Sequence, residues 1–168
     1  YPFKSRTVFE RFEKTLSAFA HWCPLFAEVT WFPEFVFPFV KCLGARQILC
    51  FEIIMSILFH WTSSFFDFFP APAPSVLSRL DRILADTDLE LHEHLCKATN
   101  ALENENQHIL WPMLTSLMSK CLTRRHWMTL FDHLFTHWND PHLLLYAVVS
   151  FLVYFKQMLI SLKDPWQI

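Results

Sequence analysis

The sequence predicts an all-α fold, and three observations lead to that prediction. The 168 residues contain a single glycine, Gly44, whereas hairpin turns and phosphate-binding loops depend on residues at positive backbone angles, usually glycine. Apolar residues recur at spacings of three and four along most of the chain. The segments between these patterns are short. Together these features exclude a β-barrel and a nucleotide-binding α/β domain, and they predict a bundle of about eight helices.

The composition limits the partners and the location that we expect. Net charge is -2 with both signs interspersed, which argues against a nucleic-acid partner. The longest apolar run, 143–155, has 13 residues and falls short of the roughly 20 that a membrane span needs. No signal peptide is evident, and the start without methionine suggests an excerpt of a longer protein. The scattered cysteines predict reduced core thiols in a cytoplasmic protein: Cys23, Cys42, Cys50, Cys96 and Cys121.

The first third of the chain predicts three helices. Residues 5–21 form an amphipathic pattern with Glu10 and Lys14 paired on its outer face, and Pro24 ends it. Residues 33–43 follow as a short buried helix that stops at Gly44. The pattern over 45–61 is apolar on nearly all sides, so we expect that helix to lie at the centre of the bundle.

The segment 65–74, FFDFFPAPAP, is predicted to be a stiff connector. Its alternating prolines remove backbone donors and favour extended conformations in the residues before them. Such a segment can serve as a ligand for aromatic-lined grooves. Phenylalanines that flank a connector of this kind more often pack onto their own domain, which is the interpretation we favour.

The remaining chain predicts further helices on short connections. One covers 75–85, and Thr87 with Glu90 forms a capping box for the next, which ends near 98–100. After a polar loop at 104–108, helical spacing runs over 109–121. Thr123 caps a helix whose apolar face continues to Trp138, and Asp140 opens the last helix, to about residue 162.

No pattern of catalytic or metal-binding residues stands out. His133 and His137 lie four apart, as two metal ligands on one helix face would, but no third ligand accompanies them. Solvent-exposed histidines are therefore the better interpretation, and the His92 and His94 pair is weaker still. The motifs of serine hydrolases, phosphate-binding loops and zinc proteases are absent. We predict no metal and no cofactor.

Two stretches resemble the TBC domain family. HILWPMLTSLMSKCLTRRHWMTLFDHL, from His108, is similar to the carboxyl-terminal helices of TBC domains, and TLSAFAHWCP, from Thr15, to the family's helix end before Asn-Pro. The resemblance implies an all-helical domain that acts on Rab-type small GTPases. In the family an arginine from I-x-x-D-x-x-R and a glutamine from G-Y-x-Q-G-M complete the GTPase active site.

The family glutamine has no counterpart at the matching position. With Cys23-Pro24 placed on Asn-Pro, the glutamine position holds Thr30, and Gln47 lies on a different predicted helix. The arginine position falls before residue 1 if Tyr1-Pro2 matches the family's Phe-Pro. Arg6-Thr7 is an alternative match in which the motif's aspartate would be Phe3.

The resemblance implies one TBC-like domain over 1–168 that lacks its amino-terminal part. Our leading hypothesis is a degenerate TBC domain that serves as an interaction or scaffold module, with Glu28, Thr30, Trp31 and Glu34 on its partner-binding surface. The alternative is an active Rab GTPase-activating protein, and a third option is a helical domain that binds an unrelated helix. Similarity to WD-repeat-containing family members implies centrosomal or centriolar-satellite partners and a place at the ciliary base.

Overall fold

The computed structural model describes residues 5–100 and 110–161. Over these residues the chain forms ten α-helices, one 3-10 turn and no β-strand, which confirms the all-α prediction. None of the described helices is long and apolar enough to cross a membrane. The chain divides into two compact units, Tyr1–Ser63 and Ser64–Ile168, and each is described by itself. That both belong to one TBC-like domain stays a prediction.

The described residues of the first unit form four helices. α1 packs against each of the other three, and α3 also packs against α4. At the centre of these contacts lies Phe19 of α1, which is fully buried. Its ring stacks on Phe51 of α4 at 4.3 Å and meets Phe32 of α3 edge-on at 5.2 Å between ring centroids. The helices are α1 Arg6–Trp22, α2 Leu25–Glu28, α3 Phe32–Leu43 and α4 Gln47–His60.

The predicted boundaries of α1 and α3 are confirmed. Pro33 lies in the first turn of α3, where its missing N–H costs no hydrogen bond. Gly44 ends the helix, with its N–H donating to the Val40 carbonyl at 3.3 Å. A Cβ at Gly44 would lie 3.9 Å from the Arg11 guanidinium, an ordinary van der Waals distance, so space does not demand glycine here. The positive φ of 60° does.

The prediction that α4 lies centrally was wrong. Its buried residues, Cys50, Ile54, Ile57 and Leu58, follow one helical stripe. α4 packs against α1 and α3, while its apolar residues Ile48, Leu49 and Phe59 are exposed. An apolar sequence on all sides therefore does not mean burial on all sides.

The second unit begins with a 3-10 turn at Ser63–Phe66, which straddles the boundary, and its described residues form six helices. No α-helix forms over 67–73, which agrees with the predicted connector. Phe65 packs on its own unit, since it is buried with its ring centroid 5.2 Å from that of Trp111. The helices are α5 Pro74–Thr87, α6 Leu89–Asn100, α7 Trp111–Thr115, α8 Arg124–Thr136, α9 Leu143–Tyr154 and α10 Lys156–Ser161.

The cap of α6 is Asp88 rather than the predicted Thr87. The Leu91 N–H donates to Asp88 Oδ1 at 3.0 Å. Thr87 instead ends α5, and its hydroxyl donates to the Ile83 carbonyl at 2.7 Å. Both residue types cap helices well, so the sequence alone placed the cap one residue early.

The helix predicted over 109–121 ends at Thr115. Leu117 and Met118 take positive φ values of 49° and 64°, and both side chains are buried. The Met118 N–H donates to the Met113 carbonyl at 2.8 Å, as in a Schellman termination. The Leu117 carbonyl accepts a hydrogen bond from the indole N–H of Trp127, on α8, at 2.9 Å. In a longer helix this carbonyl would accept from a backbone N–H instead.

The last two predicted helices are confirmed in part. Thr123 caps α8 as predicted, accepting from the His126 N–H at 3.4 Å, although Trp138 lies beyond the helix end. The final predicted helix is two helices, α9 and α10, with a break at Phe155. The predicted polar loop 104–108 lies outside the described residues.

Candidate functional site

The candidate site is the segment from Cys23 to Phe39, which contains the connection from α1 to α3 and the first two turns of α3. The sequence predicts a plain connection here, whereas the structure contains the short helix α2 followed by a turn. The Phe32 N–H donates to the Val29 carbonyl at 3.1 Å and closes this turn. Thr30 lies within the turn, between Val29 and the start of α3.

Buried apolar side chains hold the turn on both sides. Val29 and Phe32 are almost completely buried. The Phe32 ring stacks on Phe26 of α2 at 4.6 Å between centroids, and Phe26 meets Phe19 edge-on at 5.6 Å. The backbone around Thr30 is therefore attached to the aromatic core of the first unit at two points.

The predicted partner-binding residues lie on consecutive parts of this segment. Glu28 ends α2 and is exposed, and Thr30 in the turn is exposed as well. Trp31 and Glu34 are half-buried, and the Trp31 ring lies 6.0 Å from that of Phe35. The segment thus packs through its aromatic residues and presents a threonine and a carboxylate to solvent.

Gln47, the other glutamine considered from the sequence, begins α4 and is exposed. It lines a groove between α1 and α4, and none of Glu28, Thr30, Trp31 or Glu34 lines that groove. The sequence did not predict this groove. The only signal for it was the all-round apolar pattern of α4, which we interpreted as burial.

The cysteines and histidines show no catalytic arrangement among the described residues. Cys50 is the one buried cysteine, so the prediction of core thiols was wrong for the other four, which are half-buried or exposed. The Cys96 thiol lies 3.3 Å from Nε2 of His92, but burial and the nearby Asp81 raise the pKa of Cys96 and disfavour a nucleophilic thiolate.

The two histidines considered as a metal pair are exposed, as predicted for surface histidines. His133 and His137 both face solvent on α8 and just after it. No group of three or more His, Cys, Asp or Glu side chains that could hold a metal ion occurs in the part of the chain that the structure describes.

An ion cluster in the second unit has a structural role. The Lys156 ammonium on α10 lies 2.7 Å from Asp88 Oδ2 and 2.8 Å from Glu90 Oε2, at the start of α6. The hydrogen bond from Lys156 and the one from the Leu91 N–H lower the pKa of Asp88, and the bonds to the two carboxylates raise the pKa of Lys156. The cluster joins α10 to the amino-terminal end of α6.

Comparison with known proteins finds relatives over almost the whole chain. TBC1 domain family member 31 of Xenopus tropicalis is 37% identical over 169 aligned positions, which cover 99% of this chain and 15% of the relative. The Homo sapiens protein of that name is 36% identical over the same shares. The chain is related to the TBC1 domain family. The Mus musculus relative is 37% identical over 151 positions, 90% of the TBC-related chain and 15% of its own length.

These findings confirm the resemblance on which the alignment of Thr30 depends. The TBC-related chain spans about 15% of the length of the relatives it matches. No family model matches the chain. No solved structure matches it.

Proposed function

We propose that the TBC-related chain is an interaction module that does not accelerate GTP hydrolysis by supplying a glutamine. One observation carries the proposal: Thr30, at the position that the family resemblance gives to glutamine, is exposed in the turn between α2 and α3. The position is open to a partner, but its side chain lacks an amide.

The chemistry of the two side chains differs in reach and in hydrogen bonding. A glutamine amide offers a donor and an acceptor at the end of a long side chain, so it can orient an attacking water toward a phosphoryl group. A threonine hydroxyl is fixed close to the backbone. The turn cannot easily move outward to compensate, because Val29 and Phe32 on either side are buried.

The exposed surface around Thr30 supports partner binding. Glu28 and Thr30 face solvent, and Trp31 and Glu34 are half-buried beside them. We infer that this surface contacts a Rab-type small GTPase without activating it. From the resemblance, centrosomal or centriolar-satellite proteins are the other expected partners, and the centrosome or ciliary base is the expected location.

The first experiment measures GTP hydrolysis by a panel of Rab proteins with and without the chain. We expect acceleration below about tenfold, because Thr30 supplies no amide to orient the attacking water, whereas an arginine finger acting beside a glutamine gives roughly 10³-fold or more. Acceleration of about 10³-fold or more for any Rab would contradict the proposal.

A glutamine restored at the aligned position tests the alignment itself. Rab proteins loaded with GDP and aluminium fluoride mimic the transferring phosphoryl group, and transition-state mimics bind more tightly to a complementary activator. We expect Thr30→Gln to bind this form about tenfold more tightly than the wild type, since one well-placed donor contributes at least that much. The measurement is biolayer interferometry against GDP-loaded Rab as the reference.

The matched control introduces an amide at a neighbouring exposed position. Ala27→Gln places the same group on α2, at an exposed position outside the predicted partner-binding residues. Equal effects of Thr30→Gln and Ala27→Gln would show that Thr30 does not occupy the glutamine position.

The second candidate function is an active Rab GTPase-activating protein. The exposed Gln47 at the start of α4 favours it, because this residue could supply an amide in place of Thr30. This candidate requires strong acceleration of GTP hydrolysis that Gln47→Ala abolishes.

A further inference from the structure

A groove of about 450 Å³ lies between α1 and α4 of the first unit. Lys14, Ala18 and Trp22 contribute from α1, and Ile48 and Phe51 from α4. Ala18 is the small residue in the middle of the α1 side, and it leaves the depth that a larger side chain would fill.

The groove is apolar and open to solvent. Ile48 is 77% exposed and Trp22 is 53% exposed. Phe59, also on α4 and 60% exposed, continues the apolar surface, since its ring lies 6.0 Å from that of Trp22. Single exposed apolar residues are common, whereas a contiguous group around a concave surface is typical of a binding site.

The length of the groove fits a helix. Lys14 and Trp22 are eight residues apart on α1, which corresponds to about 12 Å, or two helical turns. Two turns of a partner helix present apolar side chains at spacings of three and four along the same distance.

The charge on the groove indicates the character of that helix. Lys14 lines the groove, and its ammonium has no ion-pair partner within the described part of the chain. Glu10, which the sequence suggested as its partner, instead accepts from Arg6 at 2.9 Å. No carboxylate lines the groove, and His21 adds a second basic side chain. An acidic partner would therefore meet only neutral and basic groups.

We propose that this groove binds an amphipathic α-helix of a partner protein. The helix places its apolar stripe against Trp22 and Ile48 and a carboxylate beside Lys14. The inference deepens the proposed function and rests on it, because it assigns a surface and a class of partner to the interaction module.

The test uses synthetic helices as probes. Three 18-residue amphipathic peptides share one leucine stripe. They differ at the positions beside that stripe, which carry Glu, Gln or Lys. We expect the Glu peptide to bind about fivefold more tightly than the Lys peptide, as for a favourable charge pair at the rim of an interface. Lys14→Glu is expected to reverse this order. The measurement is fluorescence anisotropy of labelled peptides.

Substitution of the apolar wall tests the groove directly. Ile48→Asp is expected to weaken the Glu peptide at least about tenfold, because it removes a large apolar contact and adds a like charge. Lys97→Glu and Met158→Asp make the matching changes at an exposed lysine and an exposed apolar residue of the second unit, and they are expected to leave binding unchanged. Circular dichroism checks that every variant keeps its helical content.

Several outcomes would overturn the proposal. The first is that the Glu peptide does not bind at about millimolar concentration, which corresponds to a binding free energy of only some 4 kcal/mol. The second is that the Glu peptide still binds to the Ile48→Asp variant. A second copy of the chain in the groove would appear as a dimer in sedimentation that Ile48→Asp makes monomeric. If the groove holds a small apolar ligand instead, a fatty acid used as a probe will bind more tightly than every peptide.

Rab activation and peptide binding, measured on the same protein, separate this proposal from the proposed function. Strong Rab activation by the wild type, with peptide binding intact, would refute the inactive interaction module and leave the groove assignment standing. Absence of both Rab activation and peptide binding would refute only the groove.

Discussion

Helices α3 and α4 are both strongly apolar, yet the first unit uses them differently. α3 buries six of its twelve residues, and in the described structure only Lys41 of that helix is classed as exposed. α4 buries four of fourteen and leaves Ile48, Leu49 and Phe59 exposed. The difference shows that apolar content alone does not distinguish residues that hold the fold from residues available to a partner.

The first way to test this comparison is a pair of identical substitutions. Phe35→Ala removes a fully buried ring from α3, and we expect it to reduce the free energy of unfolding by about 3–5 kcal/mol. Phe59→Ala removes a mostly exposed ring from α4, and we expect a loss below about 1 kcal/mol. Urea unfolding followed by circular dichroism measures both. Equal losses would mean that the outer face of α4 is part of the core.

A second pair tests the two faces of α4 itself. Ile54 is fully buried, so Ile54→Ala is expected to lower the free energy of unfolding by about 2–4 kcal/mol. Ile48→Ala, on the exposed face, is expected to change it by no more than about 0.5 kcal/mol. The same unfolding measurement applies. The comparison fails if Ile48→Ala proves as costly as Ile54→Ala.

The smallest expected effect concerns Cys50 on the buried face of α4. Burial, and secondarily the nearby Cys42, raise the pKa of the Cys50 thiol from 9.0 to about 11. Because the folded state holds this proton more tightly, the stabilising contribution is complete below pH 9.0 and is lost as pH rises toward about 11. Stability measured across this window should fall less in Cys50→Ala than in the wild type. Identical curves would show that Cys50 does not titrate differently on folding.

Most helix positions could be predicted from the sequence because amphipathic spacing records which face is buried. α1, α5 and α8 show this spacing, and their predicted ranges agree closely with the structure. α4 failed because its pattern has no polar face to mark the solvent side. The early end of α7 was not predictable, since it depends on a hydrogen bond from Trp127, ten residues along the chain.

The candidate site could be predicted in part. The alignment identifies Thr30, and the prolines indicate a break between helices. Neither predicts that the Thr30 side chain is exposed. That depends on how Val29 and Phe32 are buried against other elements. The groove between α1 and α4 could not be predicted, because its position depends on which faces of two separate helices lie side by side.

The turn at Leu117 and Met118 has a consequence for the order of folding. Neither residue favours a left-handed backbone by itself, and the described chain offers no glycine there to do so. The reversal is held by the burial of both side chains and by the Trp127 indole. We therefore expect this chain reversal to form together with α8 docking rather than before it, so α7 and α8 should acquire their native arrangement in a single step.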